Sequence, residues 1–244
     1  MKTMLIMAAV VLASLCTQAQ QKAIRLGIKA GANFSLFTSK ISPFTEPVDA
    51  KYEYFRRQAR TSAMGGVTAE FMLTHGFSLG VEVLFSSRGM THSEKNNYVV
   101  TYDNEGNRSV GRNRFIYGID YVEVPVTINY DFEKNSDHTR FLGYVGLAPA
   151  MNTHAKTKLR YAENLDADGY RTPDEDARLS NVRLLNNNIV FGIQVGEKNA
   201  TRASGFVDLR GTYTLRSVFN KSPLIADNNN TRMLTGTLSV GLKF

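Results

Sequence analysis

Between Asn164 and Glu175 the oxygen-bearing side chains fall at a metal-binding spacing. Counted from Asn164 as the first position, Asp166, Asp168, Tyr170, Thr172 and Glu175 stand at positions 3, 5, 7, 9 and 12, with Gly169 at 6. Calcium takes about six to eight oxygens, and a glycine at the sixth position permits the sharp turn that gathers them. Three residues depart from the pattern: Asn164 replaces the usual Asp, Arg171 stands at an apolar position, and Pro173 follows it. No helices are predicted to flank the segment. Two readings stand side by side: a calcium site (Asn164, Asp166, Asp168, Tyr170 and Glu175) or a solvated acidic loop. Hydrolysis is the other chemistry to weigh. His92, with Ser93 and Glu94 beside it, and His154 each begin a long polar segment, but neither shows a diagnostic nucleophile–base spacing. No catalytic residue is assigned, no cofactor beyond that calcium is expected, and the chain does not read as an enzyme.

A larger set of charges lies inside runs that alternate strictly: Lys29, Glu70, Glu82, Arg88, Glu123, Asp208, Arg210 and Lys243. The clearest run is the last. Leu234, Gly236, Leu238, Val240, Leu242 and Phe244 fall on one parity, and Met233, Thr235, Thr237, Ser239, Gly241 and Lys243 on the other. A period of two means a strand with one apolar and one polar face. Similar runs cover 24–35, 62–73, 77–88, about 117–132, 188–196 and 205–216. The segment 140–151 is apolar on both faces, so its phase is undefined. Eight strands are therefore expected.

Connection lengths set the architecture. Short links (Thr74–Gly76, Glu133–Thr139, Glu197–Ser204) alternate with long polar ones near 36–61, 89–116, 152–187 and 217–232. This asymmetry predicts an all-β, eight-stranded antiparallel up-and-down transmembrane β-barrel of the outer-membrane type, with short periplasmic turns and long extracellular loops. Phe71, Phe77, Tyr130, Phe132, Phe141 and Phe244 all lie near the inferred periplasmic ends, where an interfacial girdle belongs. No stretch is apolar over about 18 residues, so no transmembrane helix is expected. Residues 1–19 read as a secretory signal: Lys2, an apolar stretch from Met4 to Leu15, and Thr17-Gln18-Ala19 as a cleavage site. The expected single domain is then 20–244. Cys16 is the sole cysteine, which leaves the mature chain without a disulfide or thiolate metal site; Leu15 argues against lipidation of Cys16.

An eight-stranded barrel has an interior that side chains just fill. The eight inward charges include both signs, and an unpaired charge there would cost several kcal/mol. They are expected to pair and plug the lumen, a polar core being favoured over a proton or ion path. Pro125 inside the fourth strand predicts a bulge. Losing Lys2 lowers the formal net charge of +7 by one. A basic exported protein can touch lipopolysaccharide phosphates; scattered loop Arg and Lys is the plainer reading, and without a basic stripe carrying aromatics no nucleic-acid binding is expected.

Four phrases carry a family likeness: GIKAGANFS (Gly27–Ser35), FSLGVEVLFSSRG (Phe77–Gly89), YVEVPVTINY (Tyr121–Tyr130) and GFVDLRGTYTL (Gly205–Leu215). They resemble the PorT-like outer-membrane β-barrel family of Bacteroidetes. The resemblance implies residence in the outer membrane of a Gram-negative bacterium, with Phe244 as the insertion signal read by the barrel-insertion machinery. The partners expected are outer-membrane lipid and lipopolysaccharide, that machinery, and envelope or host proteins met by the extracellular loops of a monomer. The leading expectation is a structural or binding role at the cell surface. PorT is associated with a secretion apparatus, so the alternatives are an accessory role in protein secretion or envelope assembly, then a loop-borne outer-membrane hydrolase.

Overall fold

The computed structural model describes residues 24–39, 56–73, 76–102, 105–106, 108–133, 138–160, 175–179, 181–197, 203–220 and 230–244. The proposed signal segment lies outside them. Its strands are β1 (Ile24–Phe37), β2 (Arg56–Met72), β3 (Phe77–Tyr102), β4 (Arg108–Glu123), β5 (Val126–Asp131), β6 (Thr139–Arg160), β7 (Glu175–Arg178), β8 (Leu185–Glu197), β9 (Ser204–Thr214) and β10 (Met233–Lys243). β4 and β5 are two halves of one wall strand, both paired with β3 and β6, while β7 flanks β6. β10 returns to β1 in unbroken register from Gly27↔Lys243 to Phe37↔Met233. The wall is therefore a closed barrel of eight antiparallel strands. Closure pairs every edge, which a strand crossing lipid requires.

Burial follows parity. On β10, Ser239 is 1% exposed and its neighbour Val240 60%. Leu26, Ile28, Val83, Phe85, Val145, Leu147, Val207 and Leu209 all face outward in the same way. A continuous apolar exterior of this kind is a lipid-facing band. At the short-turn end Phe77, Tyr130, Phe132 and Phe141 form a chain of aromatic contacts, with centroids 4.9, 5.1 and 5.6 Å apart. The phase of β6 is settled by its neighbours: Arg140, Leu142, Ala148 and Ala150 face in, and Val145, Leu147 and Met151 face out.

Two expectations need correction. Pro125 interrupts the strand between β4 and β5 but makes no bulge. Glu123 pairs with Leu84 and Val126 with Val81, three residues apart on both strands, and Pro125 still accepts the Glu82 N–H at 3.0 Å. The shift lies instead on β6, where the register slips by one residue at Thr153, whose hydroxyl donates to the Asp120 carbonyl. The segments 89–116 and 152–187 are also not simply loops. β3 and β4 continue as a two-stranded ribbon to Tyr102↔Arg108, turning near Gly106 at a φ of 79°. β6 runs on to Arg160 and is joined there by β7.

Gly89 marks where the wall changes character. Its φ is 151°, its N–H donates to Ser35 Oγ at 2.8 Å, and a Cβ would overlap the Tyr117 carbonyl. On the short-turn side of it the pattern is apolar-out and polar-in; beyond it the pattern inverts. Phe37, Met90, Phe115, Tyr117, Ile119 and Met233 point inward as an apolar cluster. Val218 and Phe219, from the connection after β9, fold into it and are 0% and 3% exposed. This apolar cap closes the long-connection end of the barrel.

Candidate functional site

Below the cap, the inward parity stacks charged residues in three layers. Nearest the short turns, Glu70 on β2 accepts two hydrogen bonds from Arg140 at 2.8 Å each and one from Lys243 at 2.9 Å. Ser78 also donates to Glu70. Arg140 reaches Asp131 at 3.3 Å, and Lys243 donates to Gln194 Oε1 at 3.3 Å. Two carboxylates thus meet two cations.

The middle layer repeats that balance. Glu82 on β3 accepts from Lys29 at 2.8 Å and is clamped by both Arg210 guanidinium nitrogens, at 2.8 and 3.0 Å. Asp208 lies 3.2 Å from Lys29 and accepts from the Tyr144 hydroxyl at 2.6 Å and from Ser239 at 3.2 Å. Arg210 also donates from Nε to the Tyr144 oxygen at 3.0 Å. Gly192 gives that phenol its room, since a methyl group there would collide with it. The third layer is one pair: Arg88 donates to Glu123 at 2.7 Å and to Ser86 Oγ at 3.1 Å. Asn33, which donates to Ser86 Oγ at 3.0 Å and accepts from Thr237 at 2.7 Å, bridges it across β1.

Among their fully buried groups each layer is electrically neutral, and Arg25, half-buried opposite Glu70, adds a cation at the short-turn rim of the first. Pairing within a layer matters because desolvating a lone charge costs several kcal/mol, which only a well-placed partner offsets. Between the first two layers lies a cavity of about 20 Å³, bordered by Glu70, Gly80, Glu82, Asn129 and Tyr144. That is room for a single water, not for a hydrated solute.

All eight charged residues singled out from sequence lie in this stack. Arg140, Asp131 and Tyr144 are partners that sequence reasoning missed. Asp131 carried a signal, since it continues the inward parity of Glu123, Thr127 and Asn129, whereas Arg140 and Tyr144 lie in a run that is apolar on both faces. Phe244 is 64% exposed on the outer face, and its N–H donates to the Leu26 carbonyl at 2.7 Å. Asn164, Asp166, Asp168 and Tyr170 lie outside the described residues; Glu175 begins β7 opposite Leu159. Among the described residues no three His, Cys, Asp or Glu side chains group to hold a metal ion. His92 and His154 do not begin loops. His92 is buried in β3 with its ring edge-on to Tyr117 at 5.7 Å, and His154 lies within β6 opposite Asp120.

The chain is similar to several solved structures. The outer membrane protein OprG of Pseudomonas aeruginosa is 12% identical, with 92% of this chain and 97% of that one covered at a TM-score of 0.44. Neisserial surface protein A is 12% identical over 91% and 98%, at 0.40. The attachment invasion locus protein Ail of Yersinia pestis is 11% identical over 91% and 100%, at 0.36. No curated protein matches the chain. A family model described as "Outer membrane protein beta-barrel domain" matches residues 18–220, most of the sequence, and the chain belongs to that family of outer-membrane barrels.

Proposed function

We propose that this protein is a non-conducting outer-membrane barrel whose role at the cell surface is structural or binding rather than catalytic. One observation carries the reading: the lumen is filled from the short turns to the mouth, first by neutral charged layers and then by the apolar cap. A filled lumen leaves recognition to the parts that leave the membrane, above all the β3–β4 ribbon beyond Gly89. Rigid barrels commonly carry function on such projections. The position of His92 inside the barrel, against Tyr117, favours binding over hydrolysis at the rim.

The finer assignments belong to the same proposal. The chain is exported through residues 1–19, inserted as a monomer with Phe244 as the signal for the insertion machinery, and is PorT-like within a Gram-negative Bacteroidetes envelope. Its long connections meet lipopolysaccharide and envelope or host proteins. Protease added to intact cells tests the surface placement. Cleavage is expected within the ribbon or the 161–174 connection, leaving a protected barrel fragment. Full protection in intact cells, with cleavage only after lysis, would contradict it.

A further inference from the structure

The segment that plugs the mouth is held as a ligand is held, not as part of the wall. β9 and β10 are direct partners, Tyr213 facing Leu234, so a turn of about two residues is enough to join them. The chain instead runs from Thr214 to Met233 through 215–232 and lays 217–220 across the mouth. There it is paired through its backbone on both sides. Val218 donates to the Thr231 carbonyl, and its own carbonyl accepts from the Arg183 N–H, each at 2.8 Å. Asn220 donates to the Asn181 carbonyl at 2.9 Å, and Phe219 forms an isolated antiparallel bridge with Val182. The side chains fill apolar room: the Phe219 ring lies 5.9 Å from that of Phe37, and Val218 is fully buried.

Strand-addition sites recognise peptides in this way, main-chain bonds supplying affinity and side-chain pockets specificity. A segment bound in cis lowers the apparent affinity of any competitor by the fraction of molecules whose cleft is open. The cis occupant is also an incomplete match. Tyr117 belongs to the cluster that Phe219 enters, and Thr231 is the residue that Val218 pairs with. Both are buried, and among the described residues neither side-chain hydroxyl has a hydrogen-bond partner. Buried hydroxyls left unpaired are costly, and Val and Phe side chains carry no group that pairs with them. A competing segment whose aromatic residue bears a hydroxyl does.

We propose that the barrel mouth is a peptide-docking cleft, occupied in cis by 217–220, which takes from a partner protein a strand-like segment with an apolar residue followed by a tyrosine. This deepens the binding role proposed above by naming the class of partner, and it rests on the surface placement of the mouth. The paired charges below the cap are contributed by the wall, so exchange of one segment for another leaves the lumen filled.

The test uses the folded full-length chain in lipid nanodiscs and three fluorescein-labelled peptides. One has the sequence of residues 216–220; the others carry Phe219→Tyr or Phe219→Asp. The Phe219→Asp chain, whose own segment brings a carboxylate to the apolar cap, is expected to bind the first peptide about tenfold or more tighter than wild type does. It is expected to bind the Phe219→Tyr peptide about threefold tighter again, and the Phe219→Asp peptide not at all. No binding of the first two peptides at millimolar concentration overturns the cleft. Equal affinity of wild type and variant overturns the cis competition, and equal affinity for the Phe and Tyr peptides overturns the hydroxyl-bearing partner. If the Phe219→Asp chain does not fold, a chain with 217–229 replaced by a Gly-Ser linker empties the cleft instead; the same gains are expected of it, and their absence overturns the proposal. Protease on intact cells separates the two claims. Cleavage there without peptide binding in nanodiscs sinks this inference alone, whereas full protection sinks the surface placement and, with it, a partner's access to the mouth.

Discussion

Glu70→Ala is expected to cost about 3–5 kcal/mol of barrel stability, the usual penalty for removing one member of a buried ion pair. Glu70 is 3% exposed and accepts from Arg140, Lys243 and Ser78 at once. Without it Arg140 keeps Asp131, but Lys243 keeps only the Gln194 amide oxygen among its hydrogen bonds described above. The fully buried groups of the layer change from neutral to one net positive charge, with Arg25 a further cation at the rim. The companion variant Glu70→Ala/Lys243→Ala restores neutrality and should be more stable than the single change. Interacting sites are non-additive in this way, whereas independent sites add within about 0.5 kcal/mol. Guanidinium unfolding in micelles, followed by gel mobility, measures both. Simple additivity, with a loss under about 1 kcal/mol for Glu70→Ala, would mean that the layer is hydrated and not packed.

Phe219→Asp should expel the segment that plugs the mouth. Phe219 packs on Phe37 with ring centroids 5.9 Å apart, in a cluster that also holds Val218, Met90 and Met233. The segment is tied down by hydrogen bonds to its backbone: Val218 donates to the Thr231 carbonyl and its carbonyl accepts from the Arg183 N–H, each at 2.8 Å, Asn220 donates to the Asn181 carbonyl at 2.9 Å and accepts from the Asn181 side chain at 3.1 Å, and the Ser217 carbonyl accepts from Arg183 Nε at 3.2 Å. Losing a buried Phe side chain costs about 3–5 kcal/mol, and a carboxylate in its place adds a desolvation cost. These bonds cannot offset both, while the barrel wall keeps its full set of strand pairings. The expected result is local ejection with the barrel intact. In a Cys16-free chain carrying Val218→Cys, a membrane-impermeant maleimide should label residue 218 at least tenfold faster once Phe219→Asp is added. Unchanged labelling would show that the cap does not depend on this contact.

Parity made much of the fold legible, because a strand through lipid must be apolar on one side. β1, β9 and β10 could be phased from their residues alone, and with them Lys29, Asp208, Arg210 and Lys243. β6 could not: Leu142 and Ala148 inside are as apolar as Val145 and Leu147 outside, so Arg140 stayed hidden. The cap was hidden for another reason. Beyond Gly89 the solvent outside the wall changes from lipid to water, and the pattern inverts with it. Ile119 and Tyr117 turn in while Arg114 and Asp120 lie on the opposite face of β4. A reading that expects apolar-out sees only broken alternation there and assigns loop, which is why the ribbon went unread. The residues of the calcium spacing, apart from Glu175, fall outside the described residues.

The filled lumen is tested most directly by single-channel recording on the purified protein in planar lipid bilayers. The expected record is a flat baseline, without reproducible conductance steps of porin size at either polarity. Large, stable open steps from protein whose heat-modifiable mobility shows it folded would contradict the account, since no hydrated path passes three neutral charged layers and an apolar cap.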